Sequence, residues 1–447
     1  MIRKLILVLF FPLIISCSDG SVSNPQTDND DETPSNPEWL IWLTENYNAI
    51  ESIDSEDFTD LQFLKAVIGE RSLLQLGESA HGVKEFSKMK IRLIKFFHEE
   101  MDFDVIAFES SIFSNYYVDG HYNEYSTAEM MQKSIFQVWH TQEVLELFEY
   151  IKVTKNRENP LYLAGFDIQP LYHQEPEEKR GEAIYEMIYP IDQDYAAEVK
   201  ALEDSFVTSN RQYIDNRPGG VRTLKSKFES YLPRYEELEV FIDNNMADIV
   251  GNYPGDAIKP LYLAQTVGSI IEYINALLYE DDFDIISLFN IRDSAMAGNI
   301  DFLIENAFPG RKIMIWAHNS HISHKNTGTN TWKPMGQWLC EKYREELYSI
   351  GLYMGRGSAA ANNRVVYNII NCPIGSLEHR LSLQNEDCLF IDILNHQQVN
   401  GNSWLFSSIQ ALSAGLSITS IVPAERYDGI LYIHTVTPPD YYTFPIQ

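Results

Sequence analysis

The chain has 447 residues, 45% of them hydrophobic, with 64 acidic against 34 basic side chains and a formal charge of −30. Such length and apolar content support a large buried core, as one large domain or two to three ordinary ones, and argue against a disordered chain. The charge repels nucleic acid and anionic lipid, which excludes polyanionic partners, and it reads as a solvated surface rather than an acidic functional patch.

The first segment is "MIRKLILVLFFPLIISC", in which Arg3 and Lys4 precede an apolar run that ends in Ile14, Ile15, Ser16 and Cys17. A basic end followed by a short apolar run is an export signal. The run is short for a bilayer span, and a small residue before cysteine resembles the lipobox of bacterial lipoprotein signals. Residues 1–17 are therefore expected to be a signal peptide, with Cys17 acylated and the bilayer as its partner. That places the protein in the bacterial cell envelope, lipid-anchored, at the outer membrane and facing the periplasm or the surface. An ordinary secretory signal is the alternative.

Residues 18–38, "SDGSVSNPQTDNDDETPSNPE", are polar, acidic and rich in proline, without periodic apolar positions. They read as a flexible tether. The catalytic domain is expected over 39–177 and 281–447, interrupted by a helical insertion over 178–280. Short apolar runs read as strands: "LLQL" (73–76), "VIAFE" (105–109), "LYLAGF" (161–166), "IMIWA" (313–317) and "YSIGLYM" (348–354), with "VVYNII", "CLFIDIL" and "GILYIH" extending the sheet. Between the first two, Phe86, Met89, Leu93, Phe96 and Phe97 fall on one helical face, as a crossover helix requires. A second helix over 141–152 starts at a Thr141 cap. Long helical patterns fill 178–280. The expected fold is α/β, a largely parallel central sheet flanked by helices, with an all-helical insertion roofing the site.

In an open α/β sheet, ligands bind outside the carboxyl ends of the strands. There the first strand delivers Glu78 and His81, the second Glu109 and Ser110, the third Asp167 and Gln169, and the fourth His318 and His321. Carboxylates and imidazoles gathered at one rim read as a functional site more often than as a structural polar network. If helix begins directly after Gly77, Glu78 and His81 share one face, and the carboxylate can support a histidine that takes a proton from water. His318 or His321 would then polarise a carbonyl or protonate the departing oxygen, and Glu109 would orient an imidazole. Ser79 is not a nucleophile, because a nucleophile elbow needs glycine where His81 stands.

A metal site for zinc or manganese, built from Glu78, His81, Glu109 and "HNSH", ranks second, since no helical H-E-x-x-H signature is present. A lipoprotein that binds metal or haem through the same cluster is a third reading. Arg292 could bind a substrate oxygen or a site carboxylate, or form a surface ion pair with Asp293. His98, His121 and His324 read as surface histidines. Cys340, Cys372 and Cys388 form no zinc cassette or disulfide framework and read as buried structural residues.

The stretches "LGESAHGVKEF", "FDVIAFESS", "VWHTQEVLELFEYIK", "LAGFDIQ", "RDSAMAGNIDFLIE", "KIMIWAHNSHIS", "MGQWLCEKY", "PIGSLEHRL" and "YDGILYIH" resemble the erythromycin esterase family in order and spacing. The resemblance implies an α/β hydrolase, linked in that family to macrolides and antibiotic resistance, that opens a carboxylic ester or lactone without metal or other cofactor. It implies His81 as general base, with Glu78, Glu109, His318 and His321 around it. Lys90, Arg292, Asp167 and Gln169 are expected on the substrate side, with Asp167 otherwise a supporting residue or a helix cap. At Lys90 the macrolide-opening members carry arginine, so here the charge survives but the planar fork does not.

Overall fold

The computed structural model describes residues 37–171, 174–215, 220–281, 284–326 and 332–444. The expected signal peptide, Cys17 and nearly all of the tether lie outside them.

The strands are β1 (Tyr47–Ala49), β2 (Leu73–Leu76), β3 (Phe103–Ser111), β4 (Tyr162–Asp167), β5 (Lys312–Trp316), β6 (Leu347–Ala360), β7 (Val366–Asn368), β8 (Cys388–Asp392), β9 (Ile409–Ser413), β10 (Ser417–Ile421) and β11 (Gly429–Val436). Nine of them form one sheet in the order β1-β8-β11-β6-β2-β5-β3-β4, with β7 on β6, while β9 and β10 pair separately. From β11 across to β4 the strands run parallel; β8 and β1 close one edge antiparallel.

Both faces of the sheet are covered, which is why the strands read as unbroken apolar runs. Leu74, Leu76, Ile106, Phe108, Met314 and Trp316 pack on one side. Leu73, Val105, Ala107, Ile313, Ile315 and Ala317 pack on the other. The crossover helix Lys84–Met101 lays Phe86, Met89, Leu93, Phe96 and Phe97 into the first layer. Thr141 caps the helix Gln142–Thr154 by accepting the N–H of Val144.

Between β4 and β5 the described residues are helical: Glu175–Ile188, Gln193–Asp215, Gly220–Gly251, Ile258–Asp281 and Ile285–Phe302. These helices have their own apolar core, which also takes in Phe113 and Ile168 just beyond β3 and β4 and so joins them to the carboxyl edge of the sheet. No helix among the described residues is long and apolar enough to cross a membrane.

Three single-residue expectations change. His98 is packed inside, its Nδ1 2.6 Å from the Tyr150 hydroxyl. His324 is largely covered, 2.7 Å from Ser349 Oγ and 3.6 Å from Asp428. Of the free cysteines only Cys388 is buried; Cys340 and Cys372 are half-buried. For the two histidines, the partners Tyr150 and Ser349 lie far away in sequence.

Candidate active site

The chain leaves β2 through Gly77 and reaches Gly82 before the crossover helix begins at Lys84. A Cβ on Gly77 would lie 2.1 Å from Asn319 Oδ1, and one on Gly82 would lie 2.0 Å from the carbonyl oxygen of Ala360. No side chain fits at either point. The two glycines thus let the loop thread between the 319–322 turn and the end of β6. Glu78 and His81 are therefore loop residues, not partners on a helical face as the sequence suggested, and the loop itself brings His81 Nδ1 to 2.6 Å from Glu78 Oε1.

Glu78 is completely buried and both its oxygens are engaged. Oε1 also accepts the indole N–H of Trp139 at 2.9 Å, and Oε2 lies 2.8 Å from the ammonium of Lys90. Burial opposes the carboxylate charge, but Lys90 and His81 outweigh it and lower the Glu78 pKa. Burial in turn pushes Lys90 down to about 8 despite its partner. Lys90, at 0% exposure, also reaches the Ala317 carbonyl and lies over the Trp316 ring. Its ammonium sits behind Glu78, so it bears on a substrate through Glu78 and His81 rather than by contact.

A second ionic group lies beside the first. Arg292 holds Asp167 with Nε and Nη2 at 3.2 and 2.6 Å, and its Nη2 also donates to Glu109 at 2.8 Å. Of the alternatives for Arg292, the structure shows the buried carboxylate partner and not a surface ion pair. Glu109 accepts the backbone N–H of His318 at 2.9 Å. Burial works against its charge, yet His321 and Arg292 hold its pKa at about 2. Gln169 gives its backbone N–H to Asp167 at 3.2 Å.

The histidines differ sharply. His321 points Nδ1 at Asp293, 2.8 Å away, and Nε2 toward Arg292 Nη1 and Glu109 at 3.1 and 3.4 Å. Burial disfavours its cation, but Asp293 and Glu109 prevail and raise its pKa. His318 accepts the Ser320 N–H on Nδ1 at 3.1 Å, so its Nε2 carries the proton and donates to the Ser79 carbonyl at 3.1 Å. Burial and the neighbouring His81 and His321 push it down to about 3. A neutral ring with both nitrogens engaged acts here as a brace between two strand ends, one of the two histidines that the sequence offered for polarising a carbonyl or protonating a leaving oxygen. Its ring centre stands 5.2 Å from that of His81.

All the anticipated residues converge at one rim, the carboxyl ends of β2, β3, β4 and β5. Three contributors escaped the sequence: Trp139, Asp293 and Ser320. Asp293 was visible as the neighbour of Arg292, but its role depends on contacts with His321, the Trp332 indole and the Met335 N–H. Ser79 Oγ is buried without a hydrogen-bond partner, in keeping with a small packing residue. Among the described residues no three His, Cys, Asp or Glu side chains are grouped as a metal ion requires, because these nitrogens and oxygens are turned toward one another. A cavity of about 430 Å³ elsewhere, among the helices between Glu239 and Asn306, shares none of these residues.

Residues 98–436 match the family described as "Erythromycin esterase". Glu109, Asp167, Arg292, His318 and His321 fall inside that match; Glu78, His81 and Lys90 precede it. A Bacillus subtilis (strain 168) protein named "Putative hydrolase YbfO" is 26% identical over 98% of this chain and 99% of its own length. An Escherichia coli protein named "Erythromycin esterase type II" is 24% identical over 68% of this chain and 74% of its own. A solved structure from Bacillus cereus, 20% identical, covers 90% of this chain and 98% of its own with a TM-score of 0.77, a likeness of fold.

Proposed function

The chain belongs to the erythromycin esterase family and is a hydrolase, and on that premise we propose that it cleaves a carboxylic ester or lactone with water activated by His81. The single observation that carries this reading is the buried series Lys90–Glu78–His81, with contacts of 2.8 and 2.6 Å.

A carboxylate on Nδ1 fixes the tautomer of the ring and turns Nε2, the other nitrogen, into the proton acceptor. Water loses a proton to Nε2 as its oxygen bonds to the carbonyl carbon. Glu78 stabilises the imidazolium, and Lys90 keeps Glu78 charged in a fully buried setting. When the tetrahedral species collapses, the carbon–oxygen bond to the alcohol breaks and the proton passes from His81 to the departing oxygen, leaving acid and alcohol. General-base help of this kind contributes on the order of 10²–10⁴-fold.

Macrolide lactones are candidate substrates because a relative carries the name erythromycin esterase. The basic and apolar leader ending in Ser16 and Cys17 supports export and lipid anchoring in the cell envelope.

The test is incubation of the purified mature domain, wild type beside His81→Ala, with macrolides and other lactones, reading by mass spectrometry for products heavier by one water. Product from the wild type alone, in the presence of chelator, is the expected result. Loss of activity with chelator and its return with a divalent ion would replace the proposal with a metal-dependent reaction, and no product from any lactone would remove this substrate class.

A further inference from the structure

The helix Ile285–Phe302 carries a stripe that leads out of the site. Arg292 and Asp293, buried at 2% and 0%, stand at its inner end. Three and four residues earlier Phe289 and Asn290 lie over them, and one turn further out come Ile285 and Ile286, exposed at 42% and 37%. Trp332 lies alongside. Its indole N–H donates to Asp293 at 3.1 Å, its ring centre stands 6.0 Å from that of His321, and Phe289 packs on it at 5.3 Å. The chain after Trp332 is laced to the same helix by Lys333 N–H on Asn290 and Met335 N–H on Asp293, both at 2.8 Å.

Polar chemistry thus gives way to an apolar wall of Trp332, Phe289, Ile285 and Ile286 as the path leads outward. Among the described residues, Arg292 is committed to Asp167 and Glu109, and Lys333 to Glu341. An anionic substrate would meet acidic surroundings there, with both of these cations already held by carboxylates.

We infer that this wall binds the apolar body of the substrate, and that the enzyme acts on lactones or esters carrying an extended alkyl chain rather than on small or carboxylate-bearing ones. The inference rests on the ester-hydrolase reading above for the choice of ligand, but its test does not need turnover. Trp332 serves as a positioning residue as well, since its N–H helps to hold the carboxylate that orients His321.

The experiment is calorimetric binding of γ-decalactone and γ-butyrolactone to the full-length mature protein carrying His81→Ala, with and without Ile285→Ser and Ile286→Ser. The long-chain lactone is expected to bind at least about tenfold more tightly than the short one, and the double serine change to remove most of that preference while leaving the short lactone unaffected. Both isoleucines are exposed, so the variant should fold, and an unchanged thermal midpoint verifies it. An equal preference before and after the change, or no binding of the long-chain lactone, overturns the inference. Hydrolysis by the wild type, read separately, reports on the proposed reaction alone.

Discussion

Lys90 and His81 share a single carboxylate: the ammonium lies 2.8 Å from one oxygen of Glu78 and Nδ1 of the imidazole lies 2.6 Å from the other. The loop after β2 and the second turn of the crossover helix are thereby locked together, with one carboxylate linking the ammonium to the imidazole. Glu78→Gln should keep the packing but lower kcat about a hundredfold or more, with KM little changed. Steady-state kinetics on any lactone that is opened gives the answer; a kcat near that of the wild type would remove Glu78 from the mechanism.

The pH dependence should carry the mark of Lys90. Its pKa of about 8, depressed by burial, means that above that pH the lysine is neutral and Glu78 loses its cation. The profile of kcat/KM for an uncharged substrate is therefore expected to fall on the alkaline side near pH 8. Lys90→Arg keeps a permanent charge and should lose that limb, whatever it does to the absolute rate. A limb that persists unchanged belongs to another group.

Glu109 makes a prediction for stability in acid. Its pKa is near 2 in the folded protein against an ordinary value of 4.5, a depressed carboxylate, so its contribution is complete above about pH 4.5 and is lost as pH falls toward 2. The size over that window is on the order of 3 kcal/mol. Denaturant unfolding of wild type and Glu109→Gln at pH 6 and pH 3 should show a smaller acid loss in the variant. Equal losses would mean that Glu109 does not titrate in this range.

At Gly82 the argument is steric. The added Cβ of Gly82→Ala would meet the Ala360 carbonyl oxygen at 2.0 Å, and a backbone atom cannot rotate aside. The bridge that ties this loop to β6, in which Ala360 N–H donates to the Gly82 carbonyl at 2.8 Å, would have to open. A loss of about 1–3 kcal/mol and a fall in activity through displacement of His81 are expected. Calorimetry that found full stability would show that the loop has another way to sit.

The layered α/β character, the positions of the main strands along the chain and the rim at which their ends gather the polar residues were legible in the sequence; the order of the strands across the sheet was not. The cause is local: strands buried on both faces must be apolar throughout, helices packed on them must be apolar on one stripe, and topology sends the loops at the carboxyl ends to one side. Glu78, His81, Glu109, Asp167, His318 and His321 could be named because each lies within five residues of a strand end. The same local signals were silent on β1, the β9–β10 hairpin and the path of the glycine-bounded loop between β2 and the crossover helix, where short strands and a loop have no period to read.

Which atom serves which partner was settled by tertiary structure alone. Lys90 reads as a polar position on an amphipathic helix until Trp316 and Glu78 close over it, and Asp293 reads as half of a surface ion pair until His321 arrives from 28 residues further along the chain. The neutral ring of His318 follows from the Ser320 N–H and the Ser79 carbonyl, which its spacing in the sequence does not encode. Hydrogen bonds form only at about 3 Å, so they are determined only when the sheet has brought distant segments to that range. Residue types and strand ends were written in the chain; protonation states and pairings belong to the packed fold.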